Sequence, residues 1–299
     1  MRLKTILIIV ITLFFGGTVV SQDLLDLLES QEKPVTNYTS ATFKTTRIVI
    51  GQSIENTPKG NAQFLISHHF GKINGGYQNL FGLNQAFIRI GGEYGITDWL
   101  AAGVGLNTYK ITWDGYVKAK ILRQSTGARK MPLSLSGYAS MAMNTITWED
   151  PDRNNYVSSR LSYAFELILA RKFTDWLSIQ LMPALVHRNL VETKADHNDV
   201  FSVGIGGRIK VSKRVSFNTE YHYVLPDQID ETVHVSRNSL SVGMDIETGG
   251  HVFQIFLTNS EGLIEQYFIP ETKGKWSFGD IYLGFNISRM LTIVKPKMH

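Results

Sequence analysis

From about residue 61 onward the chain repeats one arrangement, in which bulky apolar side chains hold every second position and small or polar ones stand between them. At 200–210, Phe201, Val203, Ile205 and Ile209 share one parity, whereas Ser202, Gly204, Gly206 and Arg208 share the other. Successive side chains of a strand point to opposite faces, so such a segment is greasy on one side and wettable on the other. The split returns at 239–247, with Leu240, Val242, Met244 and Ile246 against Ser241, Asp245 and Glu247, and at 277–288, with Ile281, Leu283, Phe285 and Ile287 against Asp280, Tyr282 and Asn286. It is weaker at 177–189, where Pro183 predicts a bulge or a strand end.

Carried along the chain, the pattern predicts about twelve strands of roughly 9 to 13 residues, the length a tilted transmembrane strand needs. They run from 61–70 and 83–95 through 112–122 and 215–224 to 276–288. The links alternate in kind. Tight ones fall at 96–98, 173–175, 211–214 and 248–250; long polar ones fall at 71–82, 148–159, 190–197, 225–235 and 260–275. Two links break the rhythm, because 123–131 is long where a tight turn belongs and the link at Lys110 and Ile111 is short where a loop belongs.

Alternation with tight and long links in turn is the pattern of an all-β transmembrane protein, an antiparallel up-and-down β-barrel. Barrels of the bacterial outer membrane keep short turns in the periplasm and long loops outside, so an even strand number sends both chain ends to the periplasm. Arg2, Lys4 and the apolar run at 3–15 predict a cleaved signal peptide over 1–21. No later stretch reaches the roughly 18 apolar residues of a transmembrane helix. The barrel proper is expected at 61–288, and residues 289–299 as a periplasmic C-terminal extension. Residues 22–60 form a periplasmic segment of different character, with an amphipathic stretch at 23–29 and a β-prone stretch at 42–50. It either plugs the lumen, sits against the periplasmic mouth, or is a loose leader.

The parity that sends aliphatics to lipid sends Arg89, Glu93, Lys118, Lys120, Glu166, Arg208, Glu220, Asp245 and Glu247 to the lumen. An Arg or Lys on the lipid face at the midplane costs roughly 2–4 kcal/mol, so energy alone requires this placement. Two readings follow. The charges either line a channel and select solutes through the field across it, or pair with one another in a bore too narrow to stay wet. Trp99 and Trp176 follow matching Thr-Asp turns and are expected as girdle aromatics in the headgroup layer at the inner rim.

Composition narrows the chemistry. The chain has 299 residues with 30 Lys and Arg against 26 Asp and Glu. Removal of Arg2 and Lys4 with the signal peptide leaves +2, which is no argument for nucleic-acid binding. There is no cysteine, hence no disulfide and no thiolate metal site. His68 and His69 would point to opposite faces of a strand, and Gly204, Gly206 and Gly207 lack the spacing of a nucleotide loop and read as lumen-facing smallness. Neither an enzyme, nor a cofactor, nor a metal site is expected.

The stretches 42–48 (TFKTTRI), 67–71 (SHHFG), 80–83 (LFGL), 89–99 (RIGGEYGITDW) and 122–132 (LRQSTGARKMP) resemble the DUF5777 family of outer-membrane barrels of Bacteroidota, and the likeness spans most of the chain. The resemblance implies a signal-bearing outer-membrane barrel with no established ligand, so no site residues carry over. The expected partners are outer-membrane lipid and small hydrophilic solutes, the protein acting as a passive channel or uptake component. The alternative is an occluded barrel that anchors or docks an envelope or periplasmic protein through its tail or the loops at 148–159 and 260–275; a soluble secreted β-protein is the third reading.

Overall fold

Every polar backbone group inside a bilayer must be bonded by the chain itself, and twelve alternating segments satisfy that demand only by closing on themselves. The computed structural model describes residues 35–294 apart from 149, 231, 233 and 234. The expected signal peptide, the stretch at 23–29 and residues 295–299 lie outside the described residues. Twelve antiparallel strands form a closed barrel. They are β1 (Asn61–Lys72), β2 (Ala86–Gly95), β3 (Leu100–Asn107), β4 (Thr112–Leu122), β5 (Ser134–Asn144) and β6 (Leu161–Lys172). The second half comprises β7 (Leu177–Arg188), β8 (Asp199–Lys210), β9 (Val215–Val224), β10 (Ser239–Thr248), β11 (His251–Thr258) and β12 (Tyr282–Thr292). Each strand pairs with the next, and β12 closes the ring on β1 from Tyr282 beside Lys72 to Thr292 beside Asn61.

The parity set of β8 to β11 is realised as expected. Val203, Ile205, Val242 and Ile255 are exposed on the outer face, and Ser202, Arg208, Glu220 and Asp245 are buried on the inner one. No helix among the described residues is long and apolar enough to cross a membrane.

Several expected bounds shift. Pro183 neither shifts the register nor ends the strand: it sits inside β7 opposite Val203 in a continuous ladder with β8, while the ladder with β6 lapses from Glu166 beside Ala184 to Leu169 beside Leu181 and resumes in the same register. The lapse is local, as expected of a residue that has no N–H to give to a ladder. Leu83 precedes β2, and Trp276–Phe278 is a single 3-10 turn outside β12. That last strand instead runs on through Arg289, Met290, Leu291 and Thr292, which pair with Phe64 to Asn61 of β1.

Three of the four tight turns share one device, and the fourth turns on Gly249 and Gly250 at positive φ. Thr97 Oγ1 accepts the N–H groups of Trp99 and Leu100, Thr174 Oγ1 those of Trp176 and Leu177, and Ser212 Oγ those of Arg214 and Val215. A hydroxyl bonding two or three residues ahead stands in for the missing ladder and reverses the chain in four residues. At the link between β4 and β5, a second small unit contains most of a two-stranded ribbon in which Thr36–Tyr38 pairs with Ser125–Gly127. Ala128 donates there to the Val35 carbonyl at 3.2 Å.

Candidate functional site

The bore of the barrel is filled from both ends. Residues 42–54 are almost wholly buried, although they belong to no wall strand. They form a hairpin: Arg47 bridges Gln52, and Ile48 donates to the Gly51 carbonyl at 2.9 Å. Both hairpin legs start at the tight-turn rim, since Lys44 pairs there with Glu247 and donates to the Lys213 carbonyl, while the Gly60 N–H bonds the Gly95 carbonyl. The β-prone stretch at 42–50 thus lies inside the ring of wall strands, whereas Thr36–Tyr38, also within 22–60, pairs with Ser125–Gly127.

The wall grips this hairpin by its main chain. Glu220 accepts the N–H groups of Val49, Ile50 and Gly51 at 2.8 to 3.2 Å. The Gln180 amide accepts from Ile54 N–H at 2.8 Å and donates to the Gln52 carbonyl at 2.7 Å, as a neighbouring strand would. Gln254 donates to Ile48 O at 3.0 Å, Asn286 to Val49 O at 2.7 Å, and Arg208 to Ala41 O and Thr42 O at 2.8 and 3.1 Å. Ile48, Ile50 and Ile54 complete the seat against Ile168 and Met182. The inner face of β6 and β7 is mixed: Ala164, Ile168, Met182 and Val186 make it apolar around Glu166 and Gln180.

From the opposite rim, the link between β11 and β12 folds inward. Its expected role as an outer contact surface at 260–275 is overturned, because residues 262–270 are buried, including the one-turn helix α1 (Glu265–Phe268). The reason is composition: Leu263, Ile264, Tyr267, Phe268 and Ile269 have more apolar surface than an exposed loop can leave in water. Tyr267 bonds Thr112 at 2.6 Å, Lys110 pairs with Glu271 at 2.6 Å, and burial raises the Glu271 carboxyl above its ordinary pKa. The two inserts meet where Arg47 pairs with Glu265 at 3.0 Å, with Tyr138 donating to the other Glu265 oxygen at 2.8 Å.

The sequence-predicted charges fall into four groups. Arg89, Glu93 and Lys118 are buried and paired: Arg89 forks onto Asp114 at 2.9 and 2.5 Å, in a slot where a Cβ on Gly91 or Gly105 would strike the guanidinium. Glu93 lies 3.7 Å from Lys118 and accepts from Thr57 N–H and Tyr116. Arg208 and Glu220 hold the hairpin, and Asp245 accepts from Gln254 and Ser216. Glu166 is buried with neither carboxylate oxygen hydrogen-bonded, and the Ser136 and Ser202 hydroxyls share that condition. Lys120 is half-buried, and Glu247 sits half-exposed at the rim with Lys44.

Asp114, Gln180, Gln254 and Asn286 were missed as site residues although they share the lumen parity, which was the available signal. Arg47 and Glu265 lie outside any strand and left no periodic trace. His68 and His69 do point apart: His68 stacks on Phe285 outside, and His69 meets Phe256 inside. Gly204 and Gly206 face inward, where a Cβ would meet His222 and Ile48, whereas Gly207 faces out. Trp99 and Trp176 are exposed beside the tight turns. No group of three potential metal ligands exists among the described residues.

The model of a family described as "Membrane bound beta barrel domain (DUF5777)" matches residues 43–291. No curated protein matches the chain. Among solved structures it is similar to the NanC porin, at 9% identity over 78% of this chain and 100% of that one, with a TM-score of 0.48. It is also similar to the KdgM porin, at 9% identity over 77% and 97% with a TM-score of 0.44. The COG4313 outer membrane channel from Pseudomonas putida F1 is similar at 12% identity over 80% and 98%, with a TM-score of 0.48.

Proposed function

We propose that this chain, which belongs to the membrane bound beta barrel domain family (DUF5777), is an outer-membrane channel or uptake component for small hydrophilic solutes that rests closed. The tight-turn rim and both chain ends face the periplasm in this reading, the hairpin enters from there, and the inward-folded link enters from outside. Opening consists of withdrawing one or both inserts, and the wall remains intact because its own ladder is complete without them.

The observation that carries the reading is the kind of polarity on the inner wall. A permanently sealed anchor is most stable with an apolar or mutually paired interior, since buried polar groups without partners cost free energy. Here Glu166, Ser136 and Ser202 point inward with no partner among the described residues, and Glu220 and Gln180 are satisfied only by a segment that belongs to no wall strand. Such a wall suits water and solute once the hairpin leaves.

The second reading, a closed barrel that docks an envelope partner, is favoured by the buried Arg47–Glu265 contact that locks the inserts together. Planar-bilayer recording separates the two. Wild-type protein is expected to be silent or to open rarely, and a variant lacking 42–57 to conduct steadily. Silence of a folded, heat-modifiable deletion variant at all voltages would instead establish the anchor.

A further inference from the structure

Resting on the channel reading above, we infer that the bore is a peptide-binding site, and that the solutes it takes are short, extended peptides for which the hairpin is the built-in stand-in. The wall reads the hairpin chiefly through atoms that every peptide has. Glu220 receives three consecutive main-chain N–H groups, and the Gln180 amide bonds one N–H and one carbonyl two residues apart. Gln254, Asn286 and Arg208 donate to main-chain carbonyls. Side chains of the wall thereby act as an added β-strand edge, the mode in which main-chain bonds give affinity and adjacent pockets tune preference.

The geometry distinguishes peptides from other hydrophilic solutes. A carboxylate that accepts three N–H groups spaced along one backbone turn is matched to a polyamide; a sugar offers hydroxyls, which donate and accept without that fixed polarity. The side chains of the hairpin tip, Val49 and Ile50, lie in an apolar seat that accepts other aliphatic residues equally well. Glu166, buried and without a bond partner, adds an acceptor that the hairpin itself leaves unused and that a peptide's N–H, amine or Lys side chain can take.

The test uses a synthetic peptide of residues 41–57, the same peptide N-methylated at the positions of Val49, Ile50 and Gly51, and a linear oligosaccharide of similar length. Each is added to the variant lacking 42–57 in bilayers, and titrated calorimetrically into full-length protein carrying Arg47→Ala, which keeps the hairpin but weakens its seat. The expected result is saturable block and binding by the peptide, a loss of about tenfold or more on N-methylation, and a comparable loss in Glu220→Gln. Equal binding of the methylated peptide, or equal block by the oligosaccharide, would overturn the inference. If the deletion variant conducts and no peptide blocks it, the peptide site fails while the channel stands. If the variant is silent yet the peptide binds by calorimetry, the channel fails while the site stands.

Discussion

Replacing Arg47 by Met removes one half of a buried ion pair and retains most of the volume. The pair is 3% exposed on the Arg side and 0% on the Glu side, so solvent screening does not soften the loss. Breaking a buried pair by deleting one partner costs roughly 3–5 kcal/mol, because the other charge stays uncompensated. Glu265 keeps the Tyr138 hydroxyl at 2.8 Å, which places the expectation at the lower end, about 3 kcal/mol. If that cost falls on the docked state alone, the closed-to-open ratio shifts by roughly 100-fold. Burial works against the charge on Arg47, but the Glu265 carboxylate together with Tyr116, Tyr138 and Asp114 offsets it and holds the guanidinium in its charged form. Single-channel recording reads the shift as open probability. Combining Arg47→Met with Glu265→Gln should restore most of the closed state, since removing both charges is close to neutral. A single variant as closed as wild type, or a double variant more open than either single, would refute the assignment of this contact as the latch.

When 42–57 is deleted, Arg47 and Lys44 leave with it, while Arg89–Asp114 and Lys118–Glu93 remain paired; Glu166, Glu220, Asp245 and Glu247 then outnumber Arg208 and Lys120. The pore is therefore expected to select cations, and a reversal potential of the anionic sign would contradict the placement of these carboxylates. Gly206→Val should press on Ile48, whose Cδ1 lies 2.4 Å from the position of a Cβ there, and raise the open probability roughly 5- to 150-fold. Gly207→Ala, on the other face with Thr219 at 3.8 Å, is its neutral control. At the long-loop rim, the Asn74 amide donates to Asp280 at 2.9 Å and holds its carboxyl below the ordinary 3.8. The tie is thus present above that pH and lost as pH falls through the lowered value; carbon NMR titration should show Asp280 returning toward 3.8 in Asn74→Ala.

The wall was legible because its physics is periodic. The segments at 112–122 and 215–224 have clean alternation closed by definite turns, and the structure returns the same bounds for β4 and β9. β12 was cut short because Met290 and Leu291 place large apolar groups on both parities, so the pattern fades four residues before the pairing does. The inserts obey no period, since neither is a wall strand. Their signal was of another kind: Phe43, Ile48, Val49, Ile50 and Ile54 in the leader, and Leu263 to Ile269 in a supposed outer loop, are apolar clusters in links that should be polar. Such clusters in a barrel's links indicate a segment turned inward. Parity pointed to charges that the structure buries, such as Arg89 and Glu166, and also to Lys120 and Glu247, which are only partly buried; which of them pair across strands and which hold the hairpin depends on register, which no single strand encodes.

Hydrogen–deuterium exchange of the membrane-embedded, full-length protein tests most directly whether the hairpin occupies the bore. Amides of Val49, Ile50, Gly51 and Ile54, all bonded to wall side chains, should exchange at least about a hundredfold more slowly than in the free 41–57 peptide. Exchange at the free-peptide rate, with the wall amides still protected, would contradict a bore closed by its own leader.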